Sequence, residues 1–143
     1  MNRDELKTIL PHREPMLLVD EAMEEEGVAF GRYTVRGDEF FLQGHFPGFP
    51  VVPGVILCEM MAQTTCVLLG GGEAASGKVT TFFTGLDKVK FRRPVRPGDT
   101  ITFRCQITRQ KSSFYFAKGE GRVEGELAVS GEYSFALVPV QPN

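Results

Sequence analysis

The sequence has no tryptophan, two histidines and three cysteines, and each shortage closes off a class of chemistry. Two histidines, His12 and His45, exclude a three-histidine metal site. Cys58, Cys66 and Cys105 are odd in number, lack the paired spacing of a metal site, and in two cases fall within an apolar stretch where a thiol is a small hydrophobe. They read as buried reduced thiols, and no metal is expected. A basic excess is also missing: 16 Lys plus Arg face 18 Asp plus Glu, a formal net charge of -2, so no nucleic-acid partner is expected. The longest apolar run, Pro53 to Leu69, holds 17 residues and includes Glu59, Gln63, Thr64 and Thr65. It is too short and too polar to span a bilayer. The opening MNRDELKTIL has acidic residues and no apolar run, so it is not a secretory signal, and a cytoplasmic location is expected.

What is present is the composition of one folded domain, expected to span residues 1–143: 42% hydrophobic, 24% charged, twelve Phe. Asp4 to Leu10 has the residues of a short amphipathic helix stopped by Pro11. Val28 to Arg36 alternates with period two, as a strand does. The stretch GHFPGFPVVPG is a Gly/Pro loop, and Pro53 suits the first position of a helix running to Leu69, apolar nearly all round and stopped by Gly70, Gly71 and Gly72. Beyond it, Val79 to Phe91, Thr100 to Lys111, Ser113 to Val123 and Glu126 to Val138 are extended runs. They suggest a meander with turns at Arg96 to Asp99, at Lys111 to Ser113 and at Glu124 to Gly125. The expected class is α+β, a sheet wrapped around one helix. One curved sheet cannot cover such a helix on every side, so a homodimer is expected.

Glu59 is the only charge in those 17 helical residues. Leu57, Cys58, Met60, Met61 and Ala62 around it leave it few routes to water. A buried carboxylate either finds a partner in a loop or on the sheet, or takes up a proton and becomes suited to proton transfer. His45 sits in the stiff loop that feeds the same helix. Gly54 lies in its first turn, where backbone N–H groups lack intrahelical acceptors and the dipole favours negative charge. A base, an acid and an oxyanion donor thus converge. No Ser or Cys stands beside His45 as a nucleophile. The segment from Gly72 to Lys78 imitates a phosphate-binding loop, but Val79 replaces the required hydroxyl and a helix precedes it, so nucleotide binding is rejected.

The string GHFPGFPVVPGVILCEMMAQ, Gly44 to Gln63, resembles the signature of bacterial (3R)-hydroxyacyl-[acyl-carrier-protein] dehydratases of the long-chain β-hydroxyacyl dehydratase type. PHREPMLLVD, Pro11 to Asp20, and KVKFRRPVRPGD, Lys88 to Asp99, match further blocks of that family in order. The resemblance implies the hot-dog fold, with His45 and Glu59 catalytic, Gly54 the oxyanion-binding amide and Gln63 a support for the acid. It implies no organic cofactor, an acyl carrier protein as partner, and a homodimer in which the His and Glu of one site come from opposite subunits, with dimers assembling as trimers. Glu14 and Met16 depart from the aromatic residues usual in the first block, which leaves the acyl-chain length open. The reaction implied is loss of water from a (3R)-hydroxyacyl thioester. A hot-dog thioester hydrolase and a non-catalytic acyl-binding subunit are the rival classes. Lys88, Lys90, Arg92, Arg93 and Arg96 form the densest basic run, read either as a surface for the acidic carrier or as an ordinary solvated strand face.

Overall fold

The computed structural model describes residues 1–43, 48–69 and 79–139. His45, the helix-stop glycines and the segment from Gly72 to Lys78 lie outside them. A four-residue helix α1, Arg3–Leu6, opens the chain. Asn2 caps it by accepting from Glu5 N–H while Glu5 reaches back to the Asn2 amide, the reciprocal arrangement that satisfies two orphan donors. The helix is shorter than the apolar spacing predicts, but Leu6, Ile9 and Leu10 are all buried. Strand β1, Glu21–Glu25, follows, then β2, Val28–Thr34, a 3-10 turn at Phe40–Leu42, and the central helix α2, Gly54–Thr65. Four long strands complete the order: β3 Val79–Phe91, β4 Thr100–Lys111, β5 Phe114–Val123 and β6 Glu126–Pro139.

All six strands form one antiparallel sheet in the order β1-β2-β4-β5-β6-β3. The strands β4, β5 and β6 form the expected meander, turning at Ser112 and at Glu124-Gly125, which carry positive φ. The extension of that meander to β3 is not observed. β3 pairs with β6, and β2 fills the place beside β4. The reason lies in the Arg96 to Asp99 turn: Val35 N–H donates to Asp99 O and Gly98 N–H to Val35 O, so the turn joins the end of β2 instead of closing a β3–β4 hairpin.

Helix α2 lies against one face of the sheet, over β2, β4, β5 and β6. Leu57, Met60, Met61, Thr64 and Thr65 are buried there, and the approach is close because glycines face it. A Cβ built on Gly31 would stand 2.6 Å from Thr64 Oγ1, and one on Gly119 3.3 Å from Met61 Sδ. Pro53 is the N-cap and not the first helical residue, and after Thr65 the chain tightens into a 3-10 turn, Cys66–Leu69. The helix is not covered all round: Val55 is 70% exposed. Edge strand β3 likewise presents Phe82, Leu86 and Phe91 to solvent. A second cluster, Leu6, Ile9, Leu10, Leu17, Val19, Ala22, Cys66 and Val67, packs the N-terminal segment onto the far end of the helix.

Candidate active site

Positions 55, 59 and 62 fall on one face of α2, since residues three and four apart stack along a helix, and Cys66 follows just beyond its end. Glu59 and Ala62 occupy its middle. With Gln63, Cys66, His12, Thr81, Phe83 and Phe135 they line a small cavity of about 50 Å³. The Glu59 side chain is 21% exposed, so it reaches the cavity and is not sealed in the core. Its Oε1 accepts from Gln63 Nε2 at 3.1 Å and lies 3.2 Å from His12 Nε2. Among the described residues its Oε2 has no partner. Among the described residues the buried His12 Nδ1 has no hydrogen-bond partner, and the tautomer with its proton on Nε2 is the one that donates to the Glu59 carboxylate.

Gln63 is buried and saturated. Its Oε1 accepts from Leu18 N–H at 2.9 Å, and its Nε2 also donates to the Met16 carbonyl at 2.8 Å. One amide therefore ties α2 to the Pro11–Asp20 segment while holding Glu59. That segment is braced from outside: Arg3 reaches Glu14 and Asp20, Lys7 reaches Glu14, and Arg13 donates to the carbonyls of Leu10, His12 and Lys7. Backbone and Lys7 hydrogen bonds hold the Glu14 carboxyl down at about 2. Glu14 thus serves this brace. His12 is the residue beside Glu59 that sequence reasoning missed; its signals were being one of two histidines and lying in the Pro11–Asp20 block.

Gly54 lies elsewhere. Five helical residues from Glu59 mean a rotation of about 140° and an axial separation of about 7.5 Å. Gly54 lines a different cavity of about 390 Å³, with Val51, Val52, Leu57, Phe91, Arg92 and Arg93 among its walls. Among the described residues Gly54 N–H has no acceptor. The ring of Phe91 lies over Gly54, and a Cβ there would meet its Cζ at 2.7 Å. A methyl group at Gly54 would claim the space of the Phe91 ring, which is 53% exposed, so alanine there requires the ring to move.

The residues of the basic run lie in different surroundings. Arg92 and Arg93 line the Gly54 cavity, although Arg93 also pairs with Asp99 and Glu126. Lys88 pairs with Glu132 in a separate groove on the sheet, Lys90 is exposed, and Arg96 stacks over the Phe49 ring. The alternation expected through positions 88 to 92 is interrupted by a register shift between Asp87 and Lys90, where Lys88 has φ 53°. All three cysteines are free and buried. Burial pushes Cys66 up to about 12 and Cys105 up to about 11, so neither offers a thiolate near neutral pH.

The sequence matches the FabA-like domain over residues 10–132. The chain belongs to that family. It is 45% identical over 140 residues to the 3-hydroxyacyl-[acyl-carrier-protein] dehydratase FabZ of Clostridium perfringens (strain SM101 / Type A), covering 96% of this chain and 99% of the relative. It is 43% identical over 141 residues to the protein of the same name from Staphylococcus carnosus (strain TM300), covering 96% and 95%. Among solved structures, the dehydratase heterocomplex ApeI:P from Xenorhabdus doucetiae superposes with a TM-score of 0.76 at 23% identity, over 96% of this chain and 91% of that one. The antiparallel sheet around a single helix is the hot-dog fold.

Proposed function

We propose that this chain is a 3-hydroxyacyl-[acyl-carrier-protein] dehydratase of fatty acid biosynthesis, converting a (3R)-hydroxyacyl thioester to the trans-2-enoyl thioester and water. One observation carries the reading. Glu59, alone in charge on its helix, faces a cavity with one oxygen held by two donors and the other unengaged among the described residues, in a chain whose relatives bear the name of this dehydratase. The α-proton of a thioester is weakly acidic until its carbonyl is polarised, and Gly54 N–H supplies the donor for that oxygen. His45 takes the α-proton, and Glu59 delivers a proton from Oε2 to the departing hydroxyl, with Gln63 fixing Oε1. The hydroxyl leaves as water and the double bond closes between Cα and Cβ.

Gly54 and Glu59 of one chain line different cavities, so we assign each complete site to a homodimer, with Gly54 and His45 from one subunit and Glu59 from the other. The apolar edge of β3 and the exposed Val55 supply surface for such an interface. Arg92 and Arg93, at the Gly54 cavity, are the members of the basic run placed to meet an acidic acyl carrier. Among the described residues no helix is long and apolar enough to cross a membrane, and a cytoplasmic location agrees with three free thiols.

The test is to offer the purified protein (3R)-hydroxyacyl thioesters of several chain lengths, on acyl carrier protein and on coenzyme A, recording enoyl absorbance and free thiol together. Enoyl product without thiol is expected. Thiol release would make it a hydrolase, and neither product would make it a binding subunit.

A further inference from the structure

We infer that His12 is a positioning residue for Glu59, a second donor that leaves Oε2 as the one oxygen free to carry the transferred proton; the inference rests on the role proposed above for Glu59. In water the two oxygens of a carboxyl group are equivalent, and either can hold its proton. Here they differ. Oε1 accepts from Gln63 Nε2 at 3.1 Å and lies 3.2 Å from His12 Nε2, whereas Oε2 has no partner among the described residues. Two donors use both lone pairs of Oε1, so a proton there would expel one of them. Gln63 cannot turn its amide to make room, because Leu18 N–H needs its oxygen and the Met16 carbonyl needs its nitrogen. His12 offers no lone pair in place of its N–H either. That exchange would move the imidazole proton to Nδ1, a buried atom with no acceptor among the described residues, and stranding a buried donor is costly.

The two donors come from different elements, and that is what fixes the carboxyl plane. Gln63 stands on α2 itself, four residues on, and a single hydrogen bond along one helix still lets a carboxyl group swing about its side-chain torsions. His12 approaches from the N-terminal segment, 47 positions away in sequence. That segment is firmly seated. Leu10 and Leu17, on either side of His12, are buried in the cluster that holds Cys66 and Val67, and Arg13 donates to the Leu10 carbonyl at 2.9 Å and to the His12 carbonyl at 2.8 Å. The remaining walls of the cavity, Ala62, Cys66, Thr81, Phe83 and Phe135, bring no charged group to Glu59. In its neutral form the imidazole steadies the carboxyl group without a full opposing charge. The proton stays free to leave from Oε2, and both donors then stabilise the carboxylate that remains.

The experiment compares the full-length wild type with His12→Phe, which keeps a flat ring but removes the donor, and with His12→Gln, whose amide nitrogen reaches the position of Nε2 and donates. On a (3R)-hydroxyacyl thioester carried by acyl carrier protein, His12→Phe should lower kcat about five- to fiftyfold with KM within about twofold. His12→Gln should return kcat to within about threefold of the wild type. Added to Glu59→Gln, His12→Phe should cause no further loss, because it acts only through that carboxyl group. Long-range nitrogen-15 correlation spectra at neutral pH should show His12 protonated at Nε2 and bare at Nδ1; His12→Gln assigns the signal, since it leaves only His45. Equal losses of kcat in the phenylalanine and glutamine variants, or losses that follow their melting temperatures, would overturn the inference. So would the opposite tautomer. A rise in KM with kcat unchanged would overturn it as well and make His12 a substrate contact. Inactivity of the wild type would refute the dehydratase reading instead, and the spectra would still decide whether His12 donates to Glu59.

Discussion

Replacing Gln63 with leucine tests the link between the central helix and the segment that carries His12. Leucine keeps the approximate volume but removes three hydrogen bonds, to Leu18 N–H, the Met16 carbonyl and Glu59. The first two partners are main-chain groups that the buried side chain leaves with no substitute. Each stranded group costs about 1–3 kcal/mol, so the variant should lose about 2–6 kcal/mol. For 143 residues the unfolding entropy makes 1 kcal/mol worth about 3 °C. A drop of roughly 6–18 °C in Tm is therefore expected by calorimetry, at fixed protein concentration because the Tm of an oligomer depends on it. Gln63→Glu separates hydrogen bonding from volume. Its carboxylate still accepts from Leu18 N–H but turns an acceptor toward the Met16 carbonyl and Glu59. Its penalty should exceed that of leucine at neutral pH and shrink in acid, where the protonated group donates again. A fall of less than about 3 °C in Gln63→Leu would refute the reasoning.

Glu59→Gln and His45→Ala should each lower kcat by roughly 10²- to 10⁴-fold with the fold intact by circular dichroism. Mixing the two inactive proteins under subunit exchange should restore part of the activity, because one site of the mixed dimer regains both groups; no recovery, with mixed dimers shown by mass spectrometry, would place both groups of a site on one chain. Gly54→Ala should lower kcat/KM by at least about tenfold, roughly 1.4 kcal/mol of transition-state stabilisation, without raising Tm. Adding Phe91→Ala to it should recover stability but not rate, as read by paired melting and kinetic measurements. Gly31→Ala should cost about 1–3 kcal/mol in denaturant unfolding, since its methyl group would meet Thr64 Oγ1 at 2.6 Å in the helix–sheet contact.

The strands β4, β5 and β6 were legible almost to the residue, because alternating side chains and turn residues are local signals that pairing then reinforces. β1 was not. Its EAMEE places one buried residue, Ala22, among exposed ones, and it becomes a strand through its register with β2. The place of β3 at the sheet edge depends on which strands compete for a partner, and nothing within Val79 to Phe91 encodes that. At the site, the pairing of Gln63 with Glu59 was implied by the family resemblance, and their four-residue spacing on a helix agrees with it. His12 could not be paired in that way, since 47 positions separate it from Glu59 and its approach comes from packing of the N-terminal cluster onto Cys66 and Val67. The expected seclusion of Glu59 was overstated for a related reason: hydropathy along α2 does not reveal that one side of the helix is left open.

The 140° turn of the helix between Gly54 and Glu59 has a genetic consequence. If each catalytic centre draws on two chains, a subunit altered at His45 alone or at Glu59 alone still leaves its wild-type partner one working centre out of two. A subunit altered at both would supply a defective half to each centre, and the mixed dimer would be silent although half of its polypeptide is normal. Co-expressed with the wild type, such an allele should suppress activity in proportion to dosage, a dominant effect that neither single alteration would show to the same depth.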